Sequence, residues 1–252
     1  MKIAGLKKTI AFLVLCLVLV GFIGFVEKQS LYKTYQGADI DIKGVSGVYF
    51  VDESEIKGML QDEFPLLKAG LMLEEVRLED IETRLAGHPF VKSVEAYIGQ
   101  KGILSITIEQ HQPIARIARP MAADGYVTTD GKVIPTSSSY TSRVLILEGK
   151  HAELLMKNGE INEEMPELMD LIRFINGDEF WSAQITELVV NSRSDINLFQ
   201  QVGSQIIEFG DAHELESKFE RIEIFYKEIQ PRKGWNAYSK VSVKFRDQIV
   251  CE

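Results

Sequence analysis

The residues that could do chemistry in this chain are scattered. The four histidines, His88, His111, His151 and His213, fall in separate stretches, and none has another His four residues away, the spacing at which one helix face holds a metal ion. They are read as loop or surface residues. There is no G-x-S-x-G, no phosphate-binding loop and no Gly-rich turn from strand to helix, so Ser137-Ser138-Ser139 is expected to be a polar loop without a nucleophile. Glu74-Glu75 and Glu163-Glu164 are adjacent rather than three or four apart, so each pair cannot share a helix face; both are read as acids of a first helical turn, where the helix dipole favours them. Met165, Met169, Phe225 and Tyr226 sit at helical spacing that core packing accounts for. No catalytic, metal or cofactor site and no small-molecule ligand is expected. A hydrolase acting on the cell wall would have to assemble its cluster from distant loops.

The pattern that remains is one of placement and binding. Ile10 to Val26 is a run of seventeen residues without a charge, thirteen of them Leu, Ile, Val or Phe. On insertion scales these thirteen favour a bilayer by roughly 4 to 8 kcal/mol. The run is longer than a signal-peptide core and ends in Phe25-Val26 rather than in a small-x-small cleavage site, which points to an uncleaved transmembrane helix. Lys2, Lys7 and Lys8 precede it with no acid among them, so residues 1–9 are expected in the cytoplasm and the remainder is expected to be exported. All 37 acids follow Val26, against 25 of the 28 Lys and Arg, a formal charge of −12 that disfavours nucleic acid and anionic lipid. Cys16 lies in the anchor and Cys251 at the other end of the chain, so no internal disulfide is expected.

After a linker over 27–37, Asp39-Ile40-Asp41-Ile42 alternates as a strand does. Asp52-Glu53-Ser54-Glu55 has the form of a capping box ahead of Ile56, Met59, Leu60 and Phe64, with Pro65 as a stop. A second helix is predicted over 73–86, ended by Gly87, and then a hairpin of Val91–Ile98 and Leu104–Ile108. The order over 38–112 is strand, helix, helix, strand, strand. In 113–252, two Asp-Gly pairs, Asp124-Gly125 and Asp130-Gly131, predict successive hairpins. A strand at 144–147, a helix over 163–176, an antiparallel ladder over 185–190, 196–200 and 205–209, and a helix from a cap at 211–214 to Pro231 follow. The last element is read as one strand, Lys240 to Val250, its Val241, Val243 and Phe245 alternating with Ser242, Lys244 and Arg246. As the chain's last strand it is a candidate sheet edge, able to accept a strand from another protein. The fold class is α+β.

Two groups of segments resemble a known family. Leu85-Ala86-Gly87-His88-Pro89-Phe90-Val91 through Val94-Glu95-Ala96, with Leu104-Ser105-Ile106-Thr107-Ile108-Glu109, is similar to the end of a POTRA domain. Gly125-Tyr126-Val127-Thr128-Thr129-Asp130-Gly131-Lys132-Val133-Ile134-Pro135 and Trp235-Asn236-Ala237-Tyr238-Ser239 leading into Phe245-Arg246-Asp247-Gln248-Ile249-Val250-Cys251 resemble the β domain of the FtsQ/DivIB family. The resemblance implies a single inner-membrane anchor, a POTRA-like domain over 38–112 and an antiparallel β domain with packed helices over 113–252. It also implies a non-enzymatic scaffold of the divisome at the septum, with its bulk in the periplasm. Such a scaffold recruits FtsB/FtsL-type partners and links them to septal peptidoglycan synthesis. By the same resemblance the partner-binding residues are Lys240, Ser242, Lys244, Phe245, Asp247 and Val250. The other function classes weighed are a POTRA-containing envelope assembly or transport component and the membrane-anchored cell-wall hydrolase.

Overall fold

Apolar residues at period two and period 3.6 sort the chain into two units in a computed structural model that describes residues 14–21, 34–44, 50–99 and 101–252. One unit comprises residues up to Lys43 with Val51–Gln110; the other joins Gly44–Phe50 to His111–Glu252. Residues 14–21 form a helix, α1. Among the described residues no helix is long and apolar enough to cross a membrane, and the rest of the 10–26 run lies outside them.

In the first unit, β1 (Gly37–Lys43) leads to α2 (Glu53–Glu63), a 3-10 turn (Leu73–Glu75), α3 (Leu78–Ala86), β2 (Val91–Ile98) and β3 (Ile103–Gln110). Asp52 caps α2, its carboxylate accepting from the Glu55 N–H at 2.9 Å. The sheet order is β1-β3-β2, with β3 antiparallel to β2 and parallel to β1. Both helices face one side: Ile56, Leu60, Ile81 and Leu85 are buried, as are Ile40, Leu104, Ile106 and Ile108 of the sheet. The predicted helix over 73–86 begins only at Leu78, because Val76 and Arg77 are extended. The apolar stripe of Leu78, Ile81 and Leu85 gives the reason. One turn earlier on that face stand Glu74 and Arg77, so nothing apolar draws the helix back to Leu73.

The second unit holds a nine-stranded sheet in the order β12-β11-β10-β9-β8-β7-β4-β5-β6. Its strands are β4 (Pro113–Ile117), β5 (Gly125–Thr128), β6 (Val133–Pro135), β7 (Leu145–Glu148), β8 (Ile185–Ser192), β9 (Asp195–Gln200), β10 (Ile206–Gly210), β11 (Lys240–Ser242) and β12 (Val250–Cys251). Between β7 and β8 run α4 (Lys150–Asn158), α5 (Ile161–Glu164), α6 (Pro166–Gly177) and α7 (Glu179–Gln184); between β10 and β11 run α8 (Leu215–Ile224), a π turn (Phe225–Ile229) and α9 (Gln230–Lys233). The expected antiparallel domain is in fact a mixed sheet, since β4–β7, β7–β8 and β10–β11 pair in parallel. Helical crossovers return the chain to the same end of the sheet between β7 and β8 and between β10 and β11, which makes those pairs parallel, whereas β4 reaches β7 through β5, β6 and the loop over 136–144. The two Asp-Gly segments do close successive hairpins, β4–β5 and β5–β6.

One cluster forms the core of this unit: Leu168, Met169, Ile172 and Ile175 of α6 pack with Leu147, Leu188, Leu198, Ile207 and Phe209 of the sheet. Phe219 of α8 joins it, its ring centroid 4.7 Å from both Phe174 and Trp181. Met165 and Met169 are fully buried here. The predicted helix over 163–176 is split at Met165 because Pro166 donates no hydrogen bond and forces the residue before it out of helical geometry, to φ −146° and ψ 70°. Pro231 does not end the last helix as expected. The Gln230 N–H bonds back five residues to the Phe225 carbonyl, and Pro231 then falls in the first turn of α9, where no donor is required. Nor does the 211–214 segment form the expected cap, since Glu214 stands at the N-cap with φ 50° and its side chain makes no capping bond, accepting instead from Arg246 at 2.7 Å. Asp211 instead accepts from the Lys218 ammonium at 2.6 Å and from the His213 N–H at 3.2 Å.

Candidate functional site

The single strand expected over 240–250 is a short hairpin. β11 ends at Ser242, residues 243–249 turn, and β12 returns antiparallel with Val241 opposite Cys251 and Ser242 opposite Val250. The break has a legible cause, for period two would require an apolar residue after Val241, Val243 and Phe245. Position 247 holds Asp, in the left-handed region at φ 56°, which Asp tolerates better than most residues.

The six expected site residues therefore occupy three settings. Lys240, Ser242 and Lys244 share the face opposite α8, gathered around Glu208 of β10: Lys244 Nζ lies 3.0 Å and Lys240 Nζ 3.7 Å from its carboxylate, and Ser242 is its neighbour in the parallel register. The hydrogen bond from Lys244 is the largest influence on the Glu208 carboxyl and, with Lys240, holds it below its ordinary range against partial burial. Phe245 and Asp247 are exposed in the turn; Phe245 is 49% exposed, and the Lys244 ammonium stands 5.3 Å from its ring centre. Val250 lies in β12, half-buried. The residue preceding the turn, Val243, is fully buried, and its carbonyl accepts from Arg221 at 2.9 Å. The turn thus stands on a fixed base.

Sheet order puts β12 at one edge and β6 at the other. The β6 edge is closed: the Val133 N–H donates to the Gly159 carbonyl at 2.8 Å, the Ile161 N–H donates to the Gly131 carbonyl at 2.9 Å, and Pro135 has no N–H to offer. The β12 edge differs. Lys240 and Glu252 exchange both backbone hydrogen bonds, 3.1 and 3.0 Å, so the alternation of an antiparallel ladder turns the N–H and C=O of Cys251 away from β11. Those groups face outward at the sheet's edge, flanked by Val250 and the exposed turn. Sequence reasoning missed Glu208, which gathers the lysines, and the outward-facing backbone of Cys251. The only signal for Cys251 was its odd position relative to Val250.

Residues weighed for chemistry stay apart. His88 Nε2 is 3.4 Å from Glu55, His111 Nδ1 3.4 Å from Asp130, and His213 Nδ1 3.6 Å from Asp211, each in a different element. Ser137 and Ser139 bond each other at 2.7 Å in an exposed loop. Among the described residues no three His, Cys, Asp or Glu side chains could hold one metal ion.

A family model described as FtsQ/DivIB, C-terminal related, matches residues 112–252, more than half of the chain. The chain belongs to the FtsQ/DivIB family. A POTRA-like domain model matches residues 33–109, the region of the β1-β3-β2 sheet and its two helices. A comparison with curated proteins gave no match. FtsQ/DivIB proteins are non-enzymatic scaffolds of cell division, and the hairpin β11–β12 ends the β domain by which the family is defined here.

Proposed function

We propose that this FtsQ/DivIB chain is a membrane-anchored, non-catalytic scaffold that docks FtsB/FtsL-type partners by adding a partner strand to β12 and so links them to septal peptidoglycan synthesis. The observation that carries the reading is the outward-facing N–H and C=O of Cys251 on the open edge, at the opposite end of the sheet from an edge closed by its own backbone. Main-chain bonds of this kind give strand addition its affinity, and side chains beside the edge give it selectivity. We assign that selectivity to Lys240, Lys244, Phe245, Asp247 and Val250; the expected Ser242 is buried and has no free side chain to offer a partner.

The anchor is the apolar run of 10–26, with residues 1–9 cytoplasmic and the acidic remainder in the periplasm as a single-pass type II protein of the inner membrane. The linker over 27–37 connects it to a POTRA-like domain over 38–112 and a β domain over 113–252. The test is titration of the full-length chain, in mild detergent, with soluble FtsB and FtsL ectodomains from the same organism. Saturable binding at micromolar concentration or tighter is expected. No binding at several hundred micromolar would overturn the reading.

A further inference from the structure

The first unit also has an edge, and a side chain sits on it. In the β2–β3 ladder the Gly99 N–H donates to the Ile103 carbonyl at 2.9 Å, so alternation turns the peptide groups of Glu95 and Tyr97 toward β3 and those of Val94, Ala96 and Ile98 outward. The outward N–H of Ala96, at the middle of this edge, is bound by Glu82 Oε1 of α3 at 2.7 Å. That oxygen occupies the position where the carbonyl of an added strand would accept. A carboxylate oxygen makes a stronger bond there than a neutral carbonyl does.

The sequence of β2 fits a second copy of itself. Antiparallel pairing of two β2 strands about Ala96 sets Val94 opposite Ile98 on the half-buried face and Glu95 opposite Tyr97 on the exposed face. Within 94–98 no like charges meet, and Val94, Ala96 and Ile98 of each copy present outward peptide groups in matching register. We infer that Glu82 is an edge guard, which keeps β2 from pairing with β2 of a second copy of this chain. This edge is separate from β12 and does not depend on partner docking there.

The test measures self-association of the full-length chain in mild detergent by sedimentation, for wild type, Glu82→Ala, Glu82→Gln and the double variant Glu82→Ala with Ala96→Pro. Proline at 96 removes the outward N–H and leaves the bonds to β3 in place. Glu82→Ala is expected to tighten self-association by on the order of tenfold or more, the worth of one charge-assisted hydrogen bond. The double variant is expected to return to the wild-type value, and Glu82→Gln, whose amide oxygen still accepts, to stay near it. Association of Glu82→Ala equal to wild type, or unchanged by the added proline, would overturn the inference. Amide exchange on dilute Glu82→Ala decides whether Glu82 serves the fold instead: Ala96 should exchange on the order of tenfold faster while Ile106 and Ile108 of β3 keep their protection. Equal loss at Ile106 and Ile108, or no change at Ala96, sinks the proposal.

Discussion

Replacing Cys251 by proline separates the two sides of β12. Its N–H points away from β11, so proline removes a group that the proposed partner strand would use and none that the hairpin uses. The bonds of Glu252 to Lys240, and of Glu252 to Ser239 at 2.6 Å, remain. One backbone hydrogen bond is worth about 1 kcal/mol net, and a partner carbonyl left buried without a donor costs up to about 3 kcal/mol. The dissociation constant for an FtsB/FtsL-type ectodomain should therefore rise by about 5- to 150-fold. The cost to the fold is that of constraining one residue of a two-residue edge strand, below about 1 kcal/mol, or a few degrees in Tm. Isothermal titration and a thermal melt, run on the same preparation, read the two quantities separately. Affinity within twofold of wild type, with an unchanged melt, would refute the argument that the outward face of β12 is the docking edge.

Three further outcomes follow from the same geometry. Phe245→Asp should leave Tm within about 2 °C of wild type because the ring is half in solvent, whereas Phe209→Ala, fully buried in the core, should cost about 3 to 5 kcal/mol by chemical denaturation. Glu208→Gln should destabilise at neutral pH and cease to matter in acid. The Glu208 carboxyl is held below its ordinary value in the fold, so its contribution is complete above the unfolded pKa and is lost as pH falls through the folded one; melts of the two proteins from pH 7 to pH 3 should converge. Asp124→Ala removes bonds from Arg116 Nε at 2.9 Å and Nη2 at 2.7 Å and from the Arg119 N–H at 3.0 Å. It should cost about 1 to 2 kcal/mol in urea unfolding, discounted because Arg116 is partly exposed.

Local signals read well from sequence where one force acted alone. The Asp52 cap, the β2–β3 hairpin and the two Asp-Gly hairpins depended on neighbours in the chain, and each appears where its residues predict it. Readings that failed depended on partners distant in sequence. The parallel pairings of β7 and β11 are decided by crossovers whose direction no local pattern encodes, and α4 and α7 are short helices whose stripes, Ala152 with Leu155 and Trp181 alone, acquire meaning only against the sheet. At the site, the residue types were visible but their sides were not. Phe245 looked like part of the core face because it continued the alternation of Val241 and Val243, and the turn around Asp247 frees it from that face.

Edge treatment ties sequence to function in this protein. An edge strand left bare invites pairing with whatever chain is near, and natural sheets cover, charge or shorten it. The edge at β6 is consumed by backbone bonds from Gly159 and Ile161 and by Pro135; β1 carries exposed Asp39 and Asp41; β2 has Glu82 on its central N–H. β12 is kept to two residues, the least that continues a ladder, yet its outward peptide groups meet no such device among the described residues. The docking proposed above gives the exception a use: a strand this short would gain enough only from a partner that also matches the Lys240, Lys244 and Phe245 side chains beside it. In that proposal short length supplies selectivity, and the open peptide groups supply affinity.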